Sequence, residues 1–284
     1  MSNESVIDVR GLRKRYGAAT AVDGIDLHIT RGEVFALLGP NGAGKTTTVE
    51  ILAGYRQRNS GSVTVLGEDP AHAARSRHWR ARVGNVLQLT GELQLTVAEL
   101  LSQFSSYYPR PRDPAELIEL VGLGGMERKR AHQLSGGQQR RLDVALGIVG
   151  RPELLFLDEP TTGFDPEARR LFWELIRRLA ADGTTILLTT HYLPEAEAIA
   201  DRVAVIAAGR VVASGPPASL GTSAATQAQV SWNAPDGGRQ TVTTATPTTL
   251  VAELAAALGG EVPALTVTRP TLEDTYLDLI GASR

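Results

Sequence analysis

Short apolar runs alternate with segments that carry apolar residues at helical spacing over most of the chain. Runs of this length are typical of buried strands, and strands that alternate with helices favour a parallel α/β sheet. We therefore expect an α/β core with mostly parallel strands. The predicted core strands cover residues 34–38, 83–87, 154–157, 185–189 and 203–207.

Further strands and a set of helices complete this predicted core. Residues 6–12, 25–29 and 62–65 have the pattern of half-buried strands in a separate antiparallel layer. Helices are predicted directly after Gly44 and over residues 97–107, 114–121, 135–149 and 166–180. The last of these begins at Asp165-Pro166, where a side chain can cap the helix and the missing proline N–H costs nothing.

The composition changes near residue 222, and we place a domain boundary there. Residues 214–221 are rich in Gly, Pro and Ser, and Thr and Ala dominate beyond them. The chain has 26 basic and 25 acidic residues before this point and 3 basic and 6 acidic residues after it. The predicted domains are residues 1–222 and a small α+β domain, residues 223–284. Its strands are predicted over 227–232, 239–244 and 264–268, and its helices over 248–258 and 272–280.

The overall composition excludes several classes of protein. With 284 residues, of which 42% are hydrophobic and 21% charged, the chain is not a disordered protein. It has no cysteine, which excludes disulfide frameworks and thiolate metal sites and favours a cytosolic location. The net charge of -2 gives no general attraction to nucleic acid. We expect no membrane span and no signal peptide, because the N-terminus is polar and every apolar run is short.

The strongest candidate for a functional site follows the apolar run at residues 34–38. Residues 39–47 read Gly-Pro-Asn-Gly-Ala-Gly-Lys-Thr-Thr, the pattern of a phosphate-binding loop between a strand and a helix. Glycines let backbone N–H groups point at phosphate oxygens, and the helix adds its positive N-terminal end. Lys45 can reach the terminal phosphates, and the Thr46 hydroxyl can bind Mg²⁺. The loop therefore predicts binding of a nucleoside triphosphate.

Polar side chains follow three other apolar runs. Asp158 and Glu159 end a predicted strand, at the edge of an open α/β sheet where ligands bind. Asp158 suits the coordination shell of Mg²⁺, and Glu159 suits orientation and deprotonation of an attacking water. Gln88 and His191 would also lie near the phosphates if their strands flank the loop strand. Taken alone, these two are better explained as solvated loop residues, and only the other motifs favour a role at the phosphates.

A further motif, residues 134–141, reads Leu-Ser-Gly-Gly-Gln-Gln-Arg-Arg. It resembles the signature sequence of the ATP-binding cassette (ABC) ATPases, and the remaining motifs follow in the order that this family shows. The resemblance covers residues 5 to about 220. One departure is Phe164, because the family more often has Leu before the Asp of the D-loop. This difference bears on local packing and not on the chemistry.

The resemblance implies a role for each motif. Tyr16 would stack on adenine, Gln88 would sense the γ-phosphate and Mg²⁺, and His191 would contact the γ-phosphate. The implied catalytic residues are Glu159, His191, Gln88 and Lys45, and the implied metal ligands are Thr46, Gln88 and Asp158. The implied nucleotide-binding residues are Tyr16, Gly39, Pro40, Asn41, Gly42, Ala43, Gly44, Lys45, Thr46, Thr47, Gln88, Asp158, Ser135, Gly136, Gly137, Gln138 and Asp165.

The resemblance also implies partners. In this family the start of the signature helix faces the γ-phosphate that a second subunit holds, so ATP lies between two chains. Since this chain has one copy of each motif, we expect it to dimerise or to pair with another cassette. A separate integral-membrane permease is expected, because the family uses the surface beside Gln88 as a groove for coupling helices. The expected location is the cytoplasmic face of the cell membrane.

The C-terminal segment narrows the resemblance. Residues 269–279 read Arg-Pro-Thr-Leu-Glu-Asp-Thr-Tyr-Leu-Asp-Leu and look like the end of ATPase subunits of bacterial exporters of the daunorubicin-resistance type. This implies drug or antibiotic efflux, with an accessory or regulatory role for residues 223–284.

Two other functions stay open at this point. One is a soluble ABC ATPase that acts on ribosomes or DNA, which the basic stretch at residues 75–82 favours and the net charge of -2 opposes. We interpret this stretch as a solvated basic face of a helix and expect no nucleic-acid partner. The other is a regulatory pseudo-ATPase, which is opposed by the presence of every hydrolytic position.

Overall fold

The computed structural model of this chain describes residues 4–86, 94–223, 228–234, 237–268 and 276. The chain divides into two compact units, Met1–Val212 and Ala213–Arg284. The domain boundary near residue 222 stays a prediction. Gln88 lies outside the described residues, as do the C-terminal segment at 269–279 and the predicted helix at 272–280 apart from Tyr276.

The described elements alternate between strands and helices through the first unit. In chain order they are β1 (Ser5–Tyr16), β2 (Ala19–Thr30), β3 (Val34–Leu38), α1 (Lys45–Leu52), β4 (Ser60–Val65), α2 (Pro70–Ala73), α3 (Arg77–Arg82), β5 (Val83–Val86), α4 (Val97–Ser105), α5 (Pro114–Leu120), α6 (Gly136–Ile148), β6 (Leu154–Asp158), α7 (Pro166–Ala181), β7 (Thr185–Thr190), α8 (Leu193–Ile199), β8 (Arg202–Ala207), β9 (Arg210–Gly215), α9 (Pro217–Ser223), β10 (Ala228–Asn233), β11 (Arg239–Thr244), α10 (Pro247–Leu258) and β12 (Thr266–Thr268).

A six-stranded sheet in the order β5-β6-β7-β3-β8-β9 forms the centre of this fold. The first five strands of that order run parallel, and β3 and β7 are buried along their whole length, which confirms the predicted parallel core. Leu38 pairs with Thr190, and Asp158 pairs with Thr189. Because these pairs lie at the carboxyl ends of their strands, one edge of the sheet collects the polar residues that follow them.

The predicted antiparallel layer is also present, in the order β2-β1-β4. Its strands β1 and β2 are longer than the apolar pattern indicated, with twelve residues each. Apolar residues of this layer, such as Ile7 and Leu12, pack in one core with Phe35 and Phe156 of the central sheet. The antiparallel layer and the central sheet therefore share one hydrophobic core.

The predicted helices of the first unit are present, and four of them begin at a residue whose side chain caps the helix. Thr96, Asp113, Ser135 and Asp165 cap the starts of α4, α5, α6 and α7 with their side chains. The basic stretch at 75–82 contains α3, whose Trp79 is buried and donates its indole N–H to the carbonyl of Val65 at 3.2 Å. The sequence patterns did not predict α2, α8, β9 or α9. None of the three helices is longer than seven residues, and no residue of β9 is fully buried.

The second unit contains a small antiparallel sheet in the order β11-β10-β12. Helix α10 packs on it through Leu250, Val251 and Leu254, around a core of Val230, Trp232 and Val262. None of the twelve residues of α10 is fully buried, so this core is thin. β12 has three residues and is shorter than the predicted strand at 264–268.

No helix within the described ranges combines the length and the hydropathy that crossing a membrane requires.

Candidate functional site

The loop between β3 and α1 has a shape that its glycines make possible. A Cβ atom on Gly39 would lie 2.3 Å from the carbonyl oxygen of Ile206, and one on Gly44 would lie 2.3 Å from that of Ala21. Gly44 also has a φ of 104°, which side chains with a Cβ rarely adopt. Packing within this chain therefore requires glycine at both positions.

Helix α1 begins without a side-chain cap. Gly44 occupies the N-cap position, no side chain bonds to the first turn, and that turn contains no acidic residue. The N–H groups at the start of a helix are anion donors when no side chain satisfies them. The start of α1 can therefore receive phosphate oxygens, as its sequence predicts.

The ammonium group of Lys45 lies inside this loop. Only 4% of the side chain is exposed, and Nζ donates to the carbonyls of Gly39 at 2.8 Å and Pro40 at 3.1 Å. It also lies 3.5 Å from Oε1 of Glu159. Burial lowers the pKa of Lys45 below its usual value, and the Glu159 carboxylate acts in the opposite direction.

Thr46 and Asp158 form a pair of oxygen donors beside the loop. The Thr46 hydroxyl lies 3.1 Å from Oδ2 of Asp158, and Oδ1 accepts a hydrogen bond from the hydroxyl of Thr189. Hydroxyl and carboxylate oxygens suit Mg²⁺, which takes its other ligands from water and phosphate. Over the described ranges no group of three or more His, Cys, Asp or Glu side chains could hold a metal by itself. The pair fits a nucleotide-bound Mg²⁺.

Glu159 stands just beyond the end of β6 with an unusual backbone. Its φ is 44°, in the left-handed region, and its N–H donates to the hydroxyl of Thr189 at 3.0 Å. Oε2 lies 3.3 Å from Nδ1 of His191. Strained residues of this kind persist where their surroundings fix them, and they cluster at functional sites.

A pocket of about 550 Å³ joins these features. Residues of the phosphate-binding loop line it together with Asp158, Glu159 and Ala21. His191 reaches it through Glu159. The structure thus brings together the predicted residues of the loop, both carboxylates and the histidine.

Tyr16, Asp165 and the signature residues 135–138 do not line this pocket. Tyr16 ends β1 with 41% of its side chain exposed, and the cations of Lys14 and Arg56 lie 5.2 and 5.3 Å from its ring centroid. Asp165 caps α7 by accepting the N–H of Ala168 at 2.7 Å. Stacking of adenine on Tyr16 and a role for Asp165 at the nucleotide stay predictions.

The signature residues form a second, separate helix start. The hydroxyl of Ser135 accepts the N–H of Gln138 at 3.3 Å, and Oε1 of Gln138 accepts the N–H of Ser135 at 3.0 Å. Ser135 and Gly136 are exposed and do not line the 550 Å³ pocket. A Cβ atom on Gly136 would meet no described atom within 4 Å.

Two residues contribute to the site without having been predicted from the sequence. The hydroxyl of Thr189 donates to Asp158 and accepts the N–H of Glu159. In the sequence, only its position at the end of an apolar run indicated that it could lie at the site. Arg140 is 7% exposed and donates to the carbonyls of Asp158 and Pro160. Its position in the signature stretch indicates no such contact.

Comparison with known sequences identifies relatives. A family model described as ABC transporter matches residues 22–162. The Nod factor export ATP-binding protein I of Ralstonia nicotianae is 45% identical over 223 residues, which cover 76% of this chain and 68% of that protein. The daunorubicin resistance ATP-binding protein DrrA3 of Streptomyces coeruleorubidus is 43% identical over 219 residues, covering 75% and 68%.

Solved structures show the same fold. The structure of cbiO1 from Clostridium perfringens, described as part of the ABC transporter complex cbiONQ, is 28% identical with a TM-score of 0.69. The match covers 76% of this chain and 90% of cbiO1. A nucleotide-free ATP-binding cassette from an ABC transporter, at 22% identity, has a TM-score of 0.67 over 75% of this chain and 92% of that one.

Proposed function

The chain belongs to the ATP-binding subunits of the ABC transporter family and is an ATPase, and from this premise we propose that it powers a membrane exporter. One observation carries the proposal: the phosphate-binding loop, Asp158, Glu159 and His191 line or contact a single pocket. The names of two relatives, one for Nod factor export and one for daunorubicin resistance, support the direction of transport.

Within the pocket we assign each side chain a step. Lys45 and the N–H groups at the start of α1 bind the terminal phosphates of ATP. Thr46 and Asp158 hold Mg²⁺, which when bound neutralises charge on the phosphate oxygens. Glu159 orients the attacking water and accepts its proton. His191 contacts Oε2 of Glu159, and Lys45 contacts Oε1.

Two substitutions test this assignment. Glu159→Gln keeps the shape of the side chain and removes the base, so ATP hydrolysis is expected to slow by about 10² to 10⁴ while ATP still binds. Lys45→Ala is expected to weaken ATP binding itself. Near-parent turnover in the Glu159→Gln chain would contradict the role of Glu159, and parent-like hydrolysis by Lys45→Ala would contradict the role of the loop.

We further propose that two copies of the chain complete each site. The start of α6 is a second anion-binding N-terminus, and it lies apart from the pocket of its own chain. The open space beside Gly136 supports an occupant from outside the chain, because no described neighbour needs a glycine there. A partner's ATP phosphate fits this position.

A complementation experiment distinguishes this arrangement from a self-contained site. Gly136→Asp places a carboxylate where the partner's phosphate would lie, in space that the described residues of its own chain leave open. Each variant homodimer, Glu159→Gln or Gly136→Asp, would then have two damaged sites. A heterodimer of the two would have one site with both defects and one intact site.

The two purified variants are mixed in equal amounts and assayed for ATP hydrolysis. If half of the dimers are mixed, the mixture is expected to recover about a quarter of the parent rate. Gly136→Ala paired with Glu159→Gln is the matched control for a mild change at the same position. A mixture no faster than the mean of its components would rule out sites shared between chains.

The permease is proposed to dock in a pocket of about 400 Å³ near the end of β5. Aromatic side chains line it, including Tyr55, Trp79, Phe104 and Tyr108, together with the polar Asn85 and Asp143. Asn85 is close in sequence to Gln88, beside which the family resemblance places the coupling groove. An apolar helix end with one or two polar groups would fit such a lining.

Tyr55 offers a direct test of docking, because 61% of it is exposed and its replacement leaves the core intact. Tyr55→Glu is expected to keep the ATPase rate of the isolated chain within about twofold and to abolish co-purification with the membrane subunit. Tyr107, 54% exposed and outside the pocket lining, provides the control Tyr107→Glu. Equal loss of co-purification in both variants, or in neither, would exclude this pocket as the docking site.

We propose that the exported compound is an antibiotic-like small molecule, as the name of the daunorubicin resistance relative suggests. Cells that express the chain with its membrane subunit should accumulate less daunorubicin than cells that express the Glu159→Gln chain. Equal accumulation of daunorubicin, measured by its fluorescence, would point to a different cargo. Co-sedimentation of the chain with ribosomes in place of membranes would overturn the transport function itself.

A further inference from the structure

The buried side chain of Arg140 connects the signature helix to the hydrolytic carboxylate of the same chain. Nη2 donates to the carbonyl of Asp158 at 2.5 Å, and Nε donates to the carbonyl of Pro160 at 3.2 Å. These carbonyls belong to the residues on either side of Glu159. A guanidinium group is a planar fork of donors, so it fixes the distance and the orientation of both carbonyls at once.

This contact matters because Glu159 has a left-handed backbone. Its N–H is held by the carbonyl and the hydroxyl of Thr189, on the side of β7. Arg140 holds the flanking carbonyls from the side of α6. A residue with a φ of 44° keeps that conformation only while its neighbours determine it, and these two contacts do so.

Asp143 lies about one helical turn after Arg140 on α6. Its Oδ2 lies 3.7 Å from Nη1 of Arg140, the one guanidinium nitrogen for which the described residues supply no hydrogen bond. Burial raises the pKa of Asp143 to about 6, although Arg140 acts in the opposite direction. A buried guanidinium that is 7% exposed requires such a counter-ion.

We propose that Arg140 is a positioning residue for ATP hydrolysis, with Asp143 as its counter-ion, and that it sets the orientation of Glu159 from the position of the signature helix. The inference rests on the proposed role of Glu159. The start of α6 is the element proposed to meet the partner's ATP, so a shift of this helix would reach the hydrolytic carboxylate of its own chain. Asp143 also lines the 400 Å³ pocket proposed for the permease, so a group entering that pocket contacts the counter-ion of Arg140.

The test compares Arg140→Gln, Arg140→Lys and the control Arg141→Gln. Arg141 is the next residue on α6, and it donates to the carbonyl of Gly122 at 3.2 Å, away from Glu159. Arg140→Gln is expected to lower kcat by about 10- to 100-fold while the Kd for ATP stays within about twofold. Arg140→Lys should recover little, because its single nitrogen cannot take the two separate positions from which Nε and Nη2 of Arg140 donate to the two carbonyls. Arg141→Gln should keep kcat within about twofold.

A purely structural contact would give a different result. Rates are therefore expressed per folded chain, from circular dichroism and the amplitude of unfolding. An unchanged kcat per folded Arg140→Gln chain, or a kcat loss matched by an equal loss of ATP affinity, would overturn the proposal. If Arg140→Gln does not fold, Asp143→Asn tests the same link, with an expected fall in kcat of about 3- to 10-fold and an unchanged Kd; an unchanged kcat there would also overturn it.

The double variant separates this inference from the function on which it rests. If Arg140 acts through Glu159, adding Arg140→Gln to Glu159→Gln should slow hydrolysis by less than about twofold further. A full additional loss would show that Arg140 acts elsewhere. Parent-like hydrolysis by Glu159→Gln alone would instead reject the role of Glu159, whatever Arg140 does.

Discussion

Two helices of the first unit begin with glycine-rich sequence, and their starts are built in opposite ways. At α1, a Cβ on Gly44 would strike the carbonyl of Ala21, and no side chain caps the first turn. At α6, a Cβ on Gly136 would meet open space among the described residues, and Ser135 and Gln138 cap the helix reciprocally. Both starts present N–H groups to solvent and can receive an anion.

The difference between these two helix starts indicates why each position has glycine. Gly44 is required by the fold of its own chain, which brings β2 against the loop. Gly136 lowers the helix propensity of α6 without relieving any contact within the described part of the chain. A glycine of the second kind points to a requirement from another molecule, in agreement with a site that a second chain completes.

The largest expected difference between the two helix starts is in ATP affinity after a glycine-to-alanine substitution at each of them. Gly44→Ala forces a left-handed alanine against backbone, at a cost of about 3 kcal/mol. The free loop is expected to relax away from this strain, and ATP binding must restore the strained shape, so ATP affinity should fall about 100-fold. Gly136→Ala should leave the Kd for ATP within about twofold. Titration of a fluorescent ATP analogue measures both. Similar losses in the two variants would remove the distinction between the helix starts.

The second prediction uses the buried ammonium at the start of α1. At an ATP concentration 100 times the Kd, ligand binding should stabilise the parent chain by about 2.7 kcal/mol. Lys45→Met removes a buried charge and should be at least as stable as the parent without ATP, yet gain little when ATP is added. Thermal unfolding with and without ATP measures the gain, and an undiminished gain in Lys45→Met would contradict phosphate binding by Lys45.

The third prediction concerns the side-chain cap that α6 has and α1 lacks. Ser135→Ala should lower the free energy of unfolding by about 1 kcal/mol. Ser135→Asp keeps a good capping side chain and should restore most of that stability. It also places a carboxylate toward the partner's phosphate, so its rate of ATP hydrolysis should be lower than that of the parent chain. Urea unfolding and ATPase assays on both variants test this. Full hydrolysis by Ser135→Asp would show that no phosphate approaches this cap.

The smallest effect concerns the interior of α6, which contains the buried Arg140 and Asp143. Because the pKa of Asp143 is raised to about 6 in the folded chain, the folded state binds this proton more tightly than the unfolded chain does. Stability from this group therefore rises as the pH falls from about 6 toward 4. Between pH 7 and pH 5 the parent should gain about 1 kcal/mol relative to Asp143→Asn in urea unfolding. A constant difference between the two chains would contradict the raised pKa.

Local patterns were sufficient to predict most of the first unit. The loop at residues 39–47 lies next to the strand and the helix that define it, and a strand end was enough to locate Asp158 and Glu159. The patterns could not predict that Arg140 reaches across to the carbonyls of Asp158 and Pro160, because only the packing of α6 against the end of β6 creates that contact. Nor could they distinguish Gly44 from Gly136, since the neighbours that make the difference, such as Ala21, are remote in sequence.

The three tryptophans of the chain can serve as intrinsic fluorescence probes of different parts of the molecule. Trp79 is buried beside the pocket proposed for the permease, and Trp232 lies in the thin core of the second unit. In a chain with Trp79→Phe and Trp173→Phe, the remaining emission belongs to Trp232 alone and follows the melting of residues 213–284. In a chain that retains only Trp79, a docked segment should quench its fluorescence. Stopped-flow measurements can then compare the time of this quenching with the time of phosphate release. The two time courses give the order of docking and hydrolysis.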